Sequence, residues 1–199
     1  MERLTRDQKS AKHLVIFASG AGSNAQRIIS YFKGSPLAKV VLIVCNKKGA
    51  GVISIAEKEN IPVLLVEKER FFKGDAYVPE LNDVRADLII LAGFLWKIPQ
   101  VLIDTYPKRI INIHPALLPK YGGKGMYGQY VHEAIINAGE MESGITIHYV
   151  DEHYDNGDII FQTACPVLDS DSSASLAARI HQLEHLHYPV VIEELLRTL

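Results

Sequence analysis

Short apolar runs broken by turn residues recur along the chain. Leu14-Val15-Ile16-Phe17-Ala18 is the first; it ends in Ser19-Gly20-Ala21-Gly22-Ser23-Asn24, after which Ala25, Ile28 and Ile29 resume at helical spacing. A strand, a Gly-rich turn and a helix are predicted. The same rhythm predicts a strand over 40–44, a helix over 52–59 and a strand over 62–66. A helix from about 79 to 85, a strand over 88–91, a short helix near 99–106 and a strand over 109–113 follow. Strands this short and this uniformly apolar suit a sheet covered by helices on both faces.

Beyond His114 the rhythm changes. Pro115 and Pro119 enclose Ala-Leu-Leu, Tyr121 to Gly125 reads as a loop, and 127–138 reads as a helix. Ile145 to Val150 alternates like a half-buried strand, Asp155-Asn156-Gly157 makes a turn, and 158–162 can return beside it as a hairpin. From Ser172 the pattern is helical, with Ser172 or Ser173 as N-cap, and Pro189 is expected to break or kink the helix. The expected fold is α/β: an open, mostly parallel, Rossmann-like sheet with helices on both faces and a C-terminal antiparallel hairpin.

Composition narrows the function. The 199 residues suit one domain, expected over 12–199 after a polar leader at 1–11. A net charge of −2 provides no general attraction for nucleic acid or anionic membrane, so small-molecule substrates are expected, with a monomer or weak homodimer as the working form. The longest apolar runs fall far short of the roughly 18 residues a membrane span needs. The first ten residues are too polar for a secretory signal, and Cys45 and Cys165 form no paired motif, so a cytoplasmic setting without a disulfide framework is expected.

Two places could carry chemistry. Gly20 to Ala25 follows a strand and opens a helix, so its N–H groups and the helix dipole face any anion there. The spacing also fits a dinucleotide fingerprint. The next strand, however, ends at Cys45-Asn46 with no acid for a ribose diol, which disfavours a nicotinamide cofactor. A ligand-free turn is the alternative; the Ser23 and Asn24 donors favour phosphate. At the second place, Asn112 and His114 stand two apart on a strand and point to one face, an amide beside an imidazole, as acyl transfer needs. The candidate third member is Asp155, whose alternative role is turn capping. His181, His185 and His187 lack a further ligand at fixed spacing, and no metal is expected.

Gly22-Ser23-Asn24, Leu91-Ala92-Gly93-Phe94, the stretch Asn112 to Tyr121 and Asp155-x-Gly157 together resemble the folate-dependent formyltransferases, from about His13 to near the carboxyl end. The resemblance implies the formyltransferase fold, with a phosphate-binding N-terminal half and a folate-binding C-terminal half. It implies 10-formyltetrahydrofolate as cosubstrate and, in the purine-synthesis branch that the sequence is most similar to, 5′-phosphoribosylglycinamide as acceptor. The 199-residue length favours that branch over relatives with an added domain. Gly22, Ser23, Asn24 and Glu184 would then hold the acceptor, and Asn112, His114 and Asp155 would be catalytic. Leu95, Trp96, Lys97, Ile98, Asn112 and Val150 would line the folate site.

By the same resemblance, the acceptor amine attacks the formyl carbon directly. Asn112 and a protonated His114 steady the oxyanion, and Asp155 raises the His114 pKa. Two departures stand out: better-known members carry Arg where this chain has Trp96, and Gly123-Lys124-Gly125 replaces a Pro-bearing turn. A formyltetrahydrofolate hydrolase and a non-catalytic nucleotide-binding module are the alternatives.

Overall fold

A computed structural model describes residues 11–199. The expected polar leader, 1–11, falls outside the described residues except for its last position. In chain order the elements are β1 (Lys12–Ala18), α1 (Ser23–Phe32), β2 (Ala38–Cys45), α2 (Gly51–Lys58), β3 (Val63–Leu65), α3 (Lys68–Lys73), α4 (Val78–Asp83), β4 (Leu88–Leu91), α5 (Gln100–Thr105), β5 (Ile110–His114), α6 (Gln129–Asn137), β6 (Glu142–Tyr149), β7 (Ile159–Pro166) and α7 (Ser173–Thr198). The strands form one seven-stranded sheet in the order β3-β2-β1-β4-β5-β6-β7. β1 to β5 pair in parallel, and β6 and β7 are antiparallel to their neighbours. This is the expected α/β architecture with its C-terminal hairpin. No helix among the described residues is long and apolar enough to cross a membrane.

Alternation along the strands divides the core between the two faces of the sheet. Leu14, Ile16 and Ala18 of β1, with Ile111 and Ile113 of β5 and Ile145 and Ile147 of β6, pack against α1, α2, α6 and α7. Val15 and Phe17, with Ile89, Leu91 and Ile110, pack on the other face against Phe71 of α3, Leu81 of α4 and Leu102 of α5. Helix α7 is anchored by Tyr188, whose buried hydroxyl donates to the Leu91 carbonyl at 3.0 Å.

Two local expectations need correction. Pro189 does not break α7, which runs unbroken from Ser173 to Thr198 behind a Ser172–Ser175 capping box. Proline removes the bond to the carbonyl four residues back. That carbonyl, of His185, instead accepts from Arg27 Nε at 3.0 Å, and Pro189 itself is buried against the core. Helix α3 was also not expected: its Lys-Glu-Arg-Phe-Phe-Lys sequence buries only Phe71 and carries no helical period.

The chain leaves β1 towards β2 on one side and β4 leads to β5 on the other, so the topology reverses between β1 and β4. Ligands of open α/β sheets settle at such a crevice, beyond the carboxyl ends of the strands. The two loops there are tied together: Ser19 N–H donates to the Gly93 carbonyl at 3.0 Å, and Leu95 N–H donates to Ser19 Oγ at 3.0 Å.

Candidate functional site

A cavity of about 660 Å³ opens at this crevice, and every site residue predicted from the sequence lines it. They fall into three groups along its length. At one end, Gly22 caps α1 in the left-handed region (φ 85°) with no side chain bonded to the helix terminus. The first N–H groups of a helix have no partner within it, so this end presents free donors to an anion. Only glycine fits there, because an added Cβ would lie 2.8 Å from Val52 Cβ and 2.9 Å from Val52 Cα.

Asn24 Nδ2 donates to Glu184 Oε2 at 2.8 Å, which ties α1 to α7 beside that terminus. Glu184 is buried rather than a solvated helix residue. Burial raises its carboxyl pKa, while Asn24 and His181 work to lower it.

The middle group comes from two paired strands. Asn112 and His114 share a face of β5, and the antiparallel register sets His148 of β6 directly across from Asn112. The loop after β6 brings Asp155 over them. Its Oδ2 accepts the Gly123 N–H at 2.9 Å and lies 3.6 Å from His114 Nδ1, while its Oδ1 lies 3.4 Å from Asn112 Nδ2 and 3.7 Å from His148 Nε2. His114 Nε2 donates to the Tyr121 carbonyl at 2.8 Å, so a neutral ring turns its Nδ1 lone pair towards Asp155 and the cavity.

Burial of His114 pushes its pKa below the ordinary value, against the raising influence of Asp155 and of the Tyr121 carbonyl. The raising influence expected of Asp155 is present, but loss of hydration outweighs it, so the ring does not carry the proton that the expected protonated His114 requires. Burial also works to raise the Asp155 pKa, but His148, His114 and the Gly123 N–H outweigh it and hold the carboxyl below its usual range.

Leu95 to Ile98 and Val150 form a further stretch of the cavity lining. Trp96 packs at 5.5 Å from both Phe71 and Phe72, so it closes the second core while one edge borders the cavity. The Lys97 ammonium sits 5.9 Å from the Tyr154 ring, across the mouth from the Val150–Asp155 loop.

Two buried histidines of the cavity are not among the residues that the sequence singles out. His148 could have been found from the alternation of 145–150, which puts it on the same face as Thr146. His132 had no such signal. It is 2% exposed, its Nδ1 has no partner among the described residues, and burial, with His181 and His114 adding to the effect, lowers its pKa from 6.5 to about 4.

The unfolded chain therefore binds a proton at this residue between pH 6.5 and 4 that the folded chain refuses. The His132 contribution is complete above pH 6.5 and is lost as pH falls through that window. Urea unfolding at pH 7 and pH 4.5 should show His132→Gln losing less stability than the unsubstituted protein, by roughly 2–4 kcal/mol.

The fold and the cavity define the class: an open α/β sheet with a Gly-rich turn and an uncapped helix terminus at its switch point and an amide, an imidazole and a carboxylate beside it. The chain belongs to the formyl transferase family, whose model matches residues 12–192. It is 44% identical over 187 residues to the chloroplastic phosphoribosylglycinamide formyltransferase of Arabidopsis thaliana, covering 91% of this chain and 64% of that one. The chain thus spans under two thirds of that plant relative's length. Against the phosphoribosylglycinamide formyltransferase of Bacillus subtilis it is 39% identical over 190 residues, covering 93% of this chain and 95% of the relative. The crystal structure of phosphoribosylglycinamide formyltransferase from Bacillus halodurans superposes with a TM-score of 0.84 at 36% identity, covering 93% and 95% of the two chains.

Proposed function

We propose that this protein transfers the formyl group of 10-formyltetrahydrofolate to the amine of 5′-phosphoribosylglycinamide, a step of purine synthesis. One observation carries the reading. One cavity is lined by the α1 terminus with its unpaired N–H groups, by Leu95, Trp96, Ile98 and Val150, and by Asn112, His114 and Asp155. A phosphate held on Gly22, Ser23 and Asn24, with Glu184 on the acceptor's hydroxyls, leaves the amine near the middle group. Leu95, Trp96, Lys97, Ile98 and Val150 form the folate end. The names of the relatives support the same substrates.

In the mechanism proposed, the amine attacks the formyl carbon. An N–H of Asn112 holds the developing oxyanion, and the His114 ring joins it once its Nδ1 has been protonated. His114 begins neutral, in keeping with its lowered pKa. Its Nδ1 takes the proton that the amine sheds, Asp155 steadies the imidazolium, and the same proton passes to the departing folate nitrogen as the tetrahedral intermediate collapses. Bonds and protons balance with no covalent enzyme intermediate and no metal.

Residues 12–199 would act as one formyltransferase domain, as a monomer or weak homodimer. The free, buried Cys45 and Cys165 support a reducing, cytoplasmic setting.

The reading is tested by mixing the purified protein with 10-formyltetrahydrofolate, with and without phosphoribosylglycinamide. Loss of donor is expected only with the acceptor present, and is expected to survive chelation. Donor loss without acceptor would replace the reading with a hydrolase, and binding of both without reaction would leave a nucleotide-binding module.

Because His114 must be neutral to accept a proton, the acid limb of the kcat/KM profile should lie below pH 6.5, the ordinary value for the ring. Asp155→Asn removes an influence that raises the His114 pKa and should move this limb to lower pH while reducing the plateau. A limb that rises above pH 6.5 in the variant would contradict the assignment.

A further inference from the structure

We propose that His148 is a positioning residue that sets the orientation of the Asn112 amide for transfer, an inference that rests on the formyl-transfer reading above. His148 is 2% exposed and stands opposite Asn112 in the β5–β6 register. Its Nδ1 lies 2.8 Å from the Tyr149 carbonyl, which can only accept, so the ring carries its proton on Nδ1. In the neutral ring Nε2 can then only accept, and Asp155 Oδ1, 3.7 Å from it, is too far to be its hydrogen-bond partner. The Asn112 side-chain atom 3.2 Å away must then be the donating nitrogen.

Asp155 enforces the same choice. Its Oδ1 lies 3.4 Å from Asn112 Nδ2, so the group between these two acceptors is the NH₂ and not the carbonyl. One amide hydrogen is held by His148. The other is aimed along the longer contact towards Asp155 and the cavity, where a formyl oxygen can take it.

The order of influence runs from the Tyr149 carbonyl to the His148 tautomer, and from there to the face that Asn112 shows the substrate. Without the Nε2 acceptor the amide can turn over and set its carbonyl, an electron-rich oxygen, against the developing oxyanion. His148 reaches the reaction through Asn112 and need touch neither substrate.

Kinetics of His148→Leu, His148→Gln, Asn112→Ala and the Asn112→Ala/His148→Leu double variant test this. His148→Leu is expected to lower kcat by roughly 10- to 100-fold, at or below the cost of removing an oxyanion donor outright. Its KM values for both substrates should stay within about twofold, since the loss falls on the transition state. His148→Gln restores an acceptor near the Nε2 position and should recover most of kcat.

In the Asn112→Ala background the leucine change should cost little, because the group it positions is gone. Equal losses in both backgrounds, a glutamine variant as slow as leucine, or an unchanged His148→Leu would overturn the proposal. ¹⁵N-histidine NMR of the unsubstituted protein reads the tautomer whether or not the variants fold and whatever the reaction proves to be. A proton on Nδ1 and a bare Nε2 are expected; a proton on Nε2 refutes the positioning role. Absence of formyl transfer by the unsubstituted protein would instead refute the functional reading.

Discussion

His114→Ala should lower turnover by roughly 10²- to 10⁴-fold, the range for removing a general acid–base group, while the acceptor still binds. The ring is 3% exposed and lies between the Tyr121 carbonyl and Asp155, where proton transfer and charge stabilisation converge. In the proposed mode of binding the acceptor's phosphate end is held elsewhere, by the α1 terminus, so its affinity should change little. Steady-state kinetics and calorimetric titration with phosphoribosylglycinamide separate the two effects. Turnover near the unsubstituted value would remove His114 from the mechanism; loss of acceptor binding equal to the loss of rate would make it a binding residue.

Gly22→Ala should damage both the fold and the acceptor site. A left-handed backbone costs a non-glycine residue roughly 1–2 kcal/mol, and overpacking typically adds about 1–3 kcal/mol. Here the added methyl would press on the Val52 backbone as well as its side chain, so α2 or the turn must move. At about 2–4 °C per kcal/mol for a chain of this size, the melting temperature should fall by several degrees or more. The displaced α1 terminus should also raise the acceptor KM while the donor KM stays close to normal. A variant with unchanged melting temperature and unchanged acceptor KM would show that the turn does not hold the phosphate.

Much of this architecture was legible because buried parallel strands are short, uniformly apolar and punctuated by Gly and Pro. The turn after β1 and the Asn112/His114 pair could be read from local spacing alone. What could not be read depended on contacts between distant segments. The β5–β6 register places His148 against Asn112 across 36 positions of sequence, and nothing local to either strand announces that pairing. Apart from the family resemblance, Glu184 is one of several helical glutamates until α7 packs on α1 and Asn24 meets it. The net direction of the His114 pKa shift is set by burial, which a motif does not show, whereas the opposing carboxylate of Asp155 is visible in it. Pro189 was misread for the same kind of reason: the carbonyl it orphans is satisfied by Arg27, 158 residues away.

The most direct test of the central claim follows the formyl carbon itself. 10-Formyltetrahydrofolate labelled with ¹³C in the formyl group is incubated with the protein and phosphoribosylglycinamide, and the label is traced by NMR and mass spectrometry. The account predicts that the label moves intact into a new amide on the acceptor, in one-to-one proportion with the tetrahydrofolate released. Label recovered as free formate, or remaining on the folate while both ligands are bound, would contradict it.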